Sequence, residues 1–210
     1  MSAAQARAGY WPVQLLRAIP ALAVGIVITF SADHTASFGL ITFGAFALVT
    51  GILMGWGSFR LENRHLRAVS LLLASVSAGC GVAALMVNGS GPGALFLLVI
   101  IFGAVTGFLE LYLGLRGRGR HDAARDWIAV GVLTALLAIA VLLVPADYSL
   151  PWSATDAGAA ASGVLTSQII VVGIFGAYAI LVGVYLAIGG LSSRWSARAE
   201  PAASEPVTGQ

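Results

Sequence analysis

"FGAFALVTG" at residues 43–51 returns without gaps as "FGAVTGFLE" at 102–110 and as "FGAYAILVG" at 175–183. Three copies of one segment in a 210-residue chain mark a repeated structural unit. Each copy lies inside a longer apolar run, so the nature of the unit depends on whether those runs cross a membrane.

Composition answers that. The chain is 59% hydrophobic and 10% charged, with a mean hydropathy of +0.92, whereas a soluble domain carries about 25% charged residues. Apolar stretches near the ~20 residues needed to cross a bilayer read at about 12–31, 37–59, 67–88, 93–115, 127–145 and 164–191. The expected fold is an all-α integral membrane protein with six transmembrane helices. The first stretch has some features of a secretory signal, with Arg7 and Arg17 at its start and "FSADH" at its end. Five further spans and the repeat favour a retained helix.

Each copy of the repeat falls in the second helix of a consecutive pair, so the unit is a helical hairpin. The first helices align more loosely: "WPVQLLRAI" at 11–19 and "WIAVGVLTA" at 127–135 share an entry tryptophan suited to the membrane interface, and the middle copy, "HLRAVSLLL", lacks it. Three tandem hairpins are expected at 11–64, 65–120 and 121–195, packed as a compact bundle. Residues 1–10 form an N-terminal segment. The stretch 196–210, "SARAEPAASEPVTGQ", has no apolar period and is expected to be a disordered tail. Because each unit crosses twice, the copies share one orientation and any pseudo-symmetry axis runs along the membrane normal.

Charge fixes the expected orientation. All eleven basic residues are arginines: Arg7 and Arg17, then Arg60, Arg64 and Arg67, then Arg116, Arg118, Arg120 and Arg125, then Arg194 and Arg198. With six spans these all fall on one face, while "SADHTAS", "NGSGPG" and "PADYSLPWSATDAGAAASG" on the other carry none. Basic residues are retained in short cytoplasmic loops. Both termini are therefore expected in the cytoplasm and the chain in the plasma (inner) membrane. Topogenesis accounts for the arginines without nucleic acid. Cys80 is the only cysteine, which rules out an intrachain disulfide, and it reads as a packing residue.

The repeats also give context to a lone acid. Glu110 occupies the position held by Gly51 and Gly183 in the other copies. Gly103, Gly107, Glu110 and Gly114 are spaced to share one helical face. Small residues at this spacing let helices approach closely in lipid, as expected also of Gly44, Gly51 and Gly55 and of Gly176 and Gly183. The acid therefore points into the bundle, where a charge needs a partner or a role. Arg17 is a candidate partner. It lies six residues past Trp11, as Glu110 lies six before Arg116, so both sit about 9 Å inside the arginine-bearing boundary. Arg17, Ala21 and Gly25 also share a face. Three readings stay open: a structural Arg17–Glu110 pair, an arginine that snorkels beside a neutral or hydrated acid, and a transport or proton-relay role.

The tandem hairpins, the run "LLRAIPALAVGIVITF" followed by "FGAFALVTGILMGWGSFR", and the acid within "GFLELYLGLR" resemble the HdeD-like family of small six-helix membrane proteins, a domain of unknown function named after an acid-resistance protein. The resemblance covers about 11–195. The middle copy departs from it in lacking the entry tryptophan, the third in its long loop, and the first helix in having no "NP" step at its end. The resemblance implies a stress- or acid-related membrane role without an established reaction, and it transfers no catalytic residue.

No phosphate loop, HExxH or Gly-x-Ser-x-Gly elbow is present, and His34, His65 and His121 fall in loops on two sides of the membrane. No enzyme, cofactor or metal site is expected. Asp33 and His34 read as an ordinary polar loop or, alternatively, an acid sensor. Two function classes remain. One is a non-catalytic membrane protein, acting in stress resistance or as an interaction partner of membrane proteins or of its own copies. The other is a small transporter or channel for a proton, ion or small solute using Glu110 and Arg17. Transport requires a polar cavity reaching Glu110, whereas a dry, packed centre speaks against it.

Overall fold

Local signals set the ends of the helices. Thr35 caps one by accepting a hydrogen bond from the Phe38 N–H at 3.3 Å, and the Asn63 side chain caps the next by accepting from the His65 and Leu66 N–H groups. Pro92 occupies a first-turn position where its missing N–H costs nothing, after Gly91 at φ 85°, a backbone conformation that favours glycine. The computed structural model describes residues 3–199 apart from 120, 122, 157 and 158. Its helices are α1 (Ala3–Phe30), α2 (Ala36–Ser58), α3 (Arg64–Met86), α4 (Pro92–Gly117), α5 (Ala124–Leu142) and α6 (Ser167–Ala199), with strands β1 (Ser149–Asp156) and β2 (Ala159–Thr166) between α5 and α6.

All six helices are long and apolar enough to span a membrane. Large apolar side chains such as Ile19, Ile52, Leu97, Phe108, Leu136, Leu181 and Ile188 lie more than half exposed around the outside. Water would penalise such a belt, and hydrocarbon accommodates it. Burial also separates the helices into two classes. Of the spanning windows, 39% is buried in each of α1, α3 and α5, against 56%, 44% and 50% in α2, α4 and α6. The second helices of the repeats thus form the inner set. At their centre the phenylalanines that open the three repeat copies meet: Phe43 packs edge-on against Phe102 at 5.3 Å and against Phe175 at 5.5 Å.

The most extensive helix contacts are α2 with α3, α4 with α5, and α6 with α1. Each second helix therefore packs hardest on the first helix of the following repeat, and the third repeat closes back on the first. Contacts inside a sequence hairpin are looser. The glycines explain why. A Cβ on Gly51 would lie 2.6 Å from the Ala78 nitrogen on α3, one on Gly107 2.7 Å from the Ala135 nitrogen on α5, and one on Gly183 2.7 Å from Leu22 Cγ on α1. Gly44, Gly103 and Gly176 meet Leu85, Ala138 and Ile28 almost as closely. Gly25, Gly81 and Gly131 on the outer helices answer them from the other side. Gly55 differs from its expected role: a Cβ there would find Ala74 Cβ at 3.7 Å, an ordinary contact, so nothing demands a glycine.

Several further expectations are corrected. Helical structure begins at Ala3 and α6 continues to Ala199, into the stretch expected to be disordered, whose remainder lies outside the described residues. The long arginine-free loop contains an antiparallel β-hairpin, and residues 164–166, assigned to a helix by hydropathy, belong to β2. His65 is in the first turn of α3. Trp127 is 1% exposed, stacked on His121 at 4.9 Å, so it is a core residue and no interfacial one, whereas Trp11 lies under the Arg194 guanidinium at 5.5 Å.

Candidate functional site

Arg17 and Glu110, from α1 and α4, are brought together in the interior. Arg17 Nη2 donates to Glu110 Oε1 at 2.6 Å, and both side chains are less than a tenth exposed. Two pairs of neighbours place them. On α1, Ala18 and Ala21 are fully buried small residues beside the arginine, and on α4, Gly107 and Gly114 bring the helix against α5 on either side of the acid. The pair couples two helices that belong to different repeats.

A cavity of about 10 Å³ adjoins the pair, lined by Thr50, Ser77, Thr106, Thr134, Tyr178 and the aromatic rings of Phe46 and Phe102 as well as by the two charges. That is at the threshold of room for a single water. Three of the hydroxyls around it bond within the protein, while Thr50 Oγ1, also buried, has no hydrogen-bond partner among the described residues. Thr106 Oγ1 donates to the Phe102 carbonyl and Thr134 Oγ1 to the Val130 carbonyl, each one turn back along its own helix, and Thr134 Oγ1 also lies 2.9 Å from the Tyr178 hydroxyl. Away from the arginine-bearing end, the phenylalanine cluster and then Leu40, Val99, Val141, Val171 and Val172 fill the axis, all buried.

Towards the arginine-bearing end lies a second polar group. Gln14, one turn before Arg17 on the same face of α1, donates through Nε2 to Asp126 Oδ2, and the Tyr185 hydroxyl on α6 donates to Asp126 Oδ1 at 3.1 Å. Asp126 is half-buried in the first turn of α5, where a carboxylate is favoured by the helix dipole. Arg17 and Glu110 are thus extended towards that end by a third charge, Asp126, which hydropathy alone leaves in a loop because the apolar span begins at Trp127. Tyr178 and Tyr185 escaped notice for another reason: each reads as one more apolar residue of the sixth span. A signal existed for Tyr178, since it stands in the third repeat copy where Phe46 stands in the first.

At the same end, Arg60 lies over the Trp56 ring at 4.2 Å and Arg116 over Tyr112 at 6.0 Å, arrangements that hold cations beside an apolar belt. At the arginine-free end, the Asp33 carboxylate accepts from the Thr35 backbone N–H at 2.9 Å, which holds its pKa below the usual carboxylate value. Its hydrogen bonds are those of a turn leading into α2. Cys80 is buried in the central apolar cluster. Among the described residues no group of three or more His, Cys, Asp and Glu side chains is gathered in one place.

Residues 16–86 match the family model of a short repeat of unknown function, DUF308. No curated protein and no solved structure matches the chain. The matched stretch covers α1 from Leu16 through α2 to the end of α3, includes Arg17, Gly44, Gly51 and Gly55, and stops before Glu110. The chain is a multi-pass membrane protein whose first three helices are similar to that repeat.

Proposed function

We propose that this chain is a non-catalytic protein of the plasma (inner) membrane, with both termini cytoplasmic, that serves stress or acid resistance directly or as a partner of other membrane proteins, and that its Arg17–Glu110 pair is structural. One observation carries the reading: the charge pair is sealed. It is hydrogen-bonded in place, its cavity of about 10 Å³ is too small for a solute, and the axis beyond it is apolar. The stress-related part rests on the HdeD-like resemblance and on the match to a repeat family that includes such proteins. Orientation rests on the arginines.

A second reading is a small transporter or channel that moves a proton, ion or small solute through Glu110 and Arg17. The file Asp126, Gln14, Arg17 and Glu110 leading inward from the arginine-bearing end favours it. That file stops at the phenylalanines, so transport along it would require the inner helices to part and open the apolar core beyond.

The two readings separate in a double-mutant cycle. Glu110→Gln alone leaves a buried guanidinium without its counter-charge and Arg17→Gln strands a carboxylate, each at a cost of about 3–5 kcal/mol for a buried pair. The double substitution recovers much of that loss, because two amides can bond each other. Thermal unfolding in detergent measures the cycle, and acid survival of cells carrying each variant measures function. The structural reading expects survival to follow the amount of folded protein. A folded, stable Glu110→Gln protein that fails to protect cells would make the acid chemical, and a double mutant as unstable as the sum of the singles would end the pairing.

A further inference from the structure

The hairpin between α5 and α6 stands apart from the bundle. Its eight register pairs run from Ser149 with Thr166 to Asp156 with Ala159, and its one substantial helix contact is where β2 runs into the start of α6. The base is pinned there: the Ser167 N–H donates to the Tyr148 carbonyl at 3.0 Å and the Ser167 hydroxyl to the Ala146 carbonyl at 2.8 Å. A two-stranded hairpin with no further packing is marginal in water. Something has to cover it.

Residues directly opposite one another in an antiparallel pair project to the same side, and side chains alternate along each strand. Leu150 pairs with Leu165 and Trp152 with Gly163, so these four share one face, and Trp152 lies against Gly163, where a Cβ would fall 2.9 Å from Nε1. Ser149, Ser153, Ser162 and Thr166 share the other, with Pro151 and Val164. The hairpin is amphipathic, with the larger apolar side chains on the first face and Val164, 48% exposed, as the apolar exception among the hydroxyls of the second. Leu150 is 50% and Trp152 48% exposed, so the apolar face is not spent on the protein's own core.

We infer that this hairpin lies on the lipid surface at the arginine-free end, with Leu150, Trp152 and Leu165 inserted at the acyl–headgroup boundary and the hydroxyl face turned to water. Three observations favour lipid over a protein partner. The lipid-facing surface is continuous with it: Leu142, the last residue of α5, and Leu143, which caps it, stand 68% and 75% exposed just before the hairpin base. The base itself is fixed to the first residue of a membrane-spanning helix, which sets the strands at headgroup depth. And between Val144 and Ser167 the sequence offers only Asp147 and Asp156 as charges, with no arginine, so neither a charged protein surface nor an anionic lipid is specified. A neutral interface with a tryptophan at its boundary fits that composition.

Nitroxide labels test the placement. In a Cys80→Ala background, Trp152→Cys and Ser153→Cys are each labelled, reconstituted in phosphatidylcholine vesicles and compared for collision with oxygen, which concentrates in lipid, and with a neutral nickel chelate, which stays in water. The expected result is a label at 152 that meets oxygen more often than nickel and one at 153 that does the reverse. Both positions are exposed, so folding is not at stake, and circular dichroism and gel filtration confirm it. Nickel dominating at both positions would overturn the inference by standing the hairpin up in water. Label 152 shielded from both reagents would overturn it in favour of a protein partner or a second copy.

Discussion

Arginine is the cation suited to position 17. Its guanidinium stays charged, is more weakly hydrated than an ammonium and presents several donors in a plane, which suits it to bond Glu110 in the interior. Gln14 and Arg17 together tie α1 to α5 and α4 through buried polar side chains. The Asp126 end of this arrangement is the more exposed one, and its bonds are correspondingly cheaper to lose. Tyr185→Phe removes one donor to a half-buried carboxylate that keeps Gln14, and should cost about 1 kcal/mol by thermal unfolding in detergent. A loss several times larger would mean that Asp126 is buried as tightly as Glu110. The pairing of Arg17 with Glu110 was legible in the sequence because both lie at countable depths from one boundary and on small-residue faces. Asp126 was not, because the depth count started at Trp127, and tyrosines inside apolar runs conceal their hydroxyls from any hydropathy reading.

At the scale of the helix, the glycines determine which neighbours pack hardest. Lipid supplies no hydrophobic drive for helices to associate, so contact area gained by close approach decides the partner. Gly51 and Gly55 look alike in sequence, four residues apart on α2, yet only Gly51 is pressed against backbone, 2.6 Å from the Ala78 nitrogen by its would-be Cβ. Gly51→Ala should force α2 from α3 at about 1–3 kcal/mol, whereas Gly55→Ala has room and should be neutral or stabilising by up to about 1 kcal/mol, since alanine is the better helix former. Equal melting temperatures for the two variants would contradict the close packing of α2 on α3. Spacing revealed the small-residue faces, but the identity of the facing helix depends on how three repeats close into a ring, which no local pattern encodes. The β-hairpin was missed at the same scale, because its alternation of hydroxyl and apolar residues is interrupted by Pro151 and Gly163 and carries too little hydrophobicity to stand out beside six membrane spans.

For the whole molecule, the three equivalent phenylalanines turn a sequence repeat into an axis. Phe43, Phe102 and Phe175 come from the same position of three copies and meet in the centre, which makes the inner helices alternate components of one core. The charged pair then lies on one side of that core and the apolar filling on the other. The proposed orientation rests on the arginines and is checked by labelling. With Cys80 replaced by alanine, cysteines at the exposed positions Ala32 and Ser90 should react with an impermeant thiol reagent applied to intact cells, and cysteines at Glu62 and Arg118 only after the membrane is opened. Reaction at Arg118 in intact cells would reverse the orientation.

The most direct measurement of the central claim, that the charge pair is a sealed structural element and not part of a conduction path, is proton flux through the purified protein in vesicles loaded with a pH-sensitive dye under an imposed pH gradient. A sealed pair backed by the phenylalanine core predicts a flux no greater than that of protein-free vesicles, for wild type and for the Arg17→Gln/Glu110→Gln double variant alike. A wild-type flux above that baseline, abolished by Glu110→Gln, would contradict it.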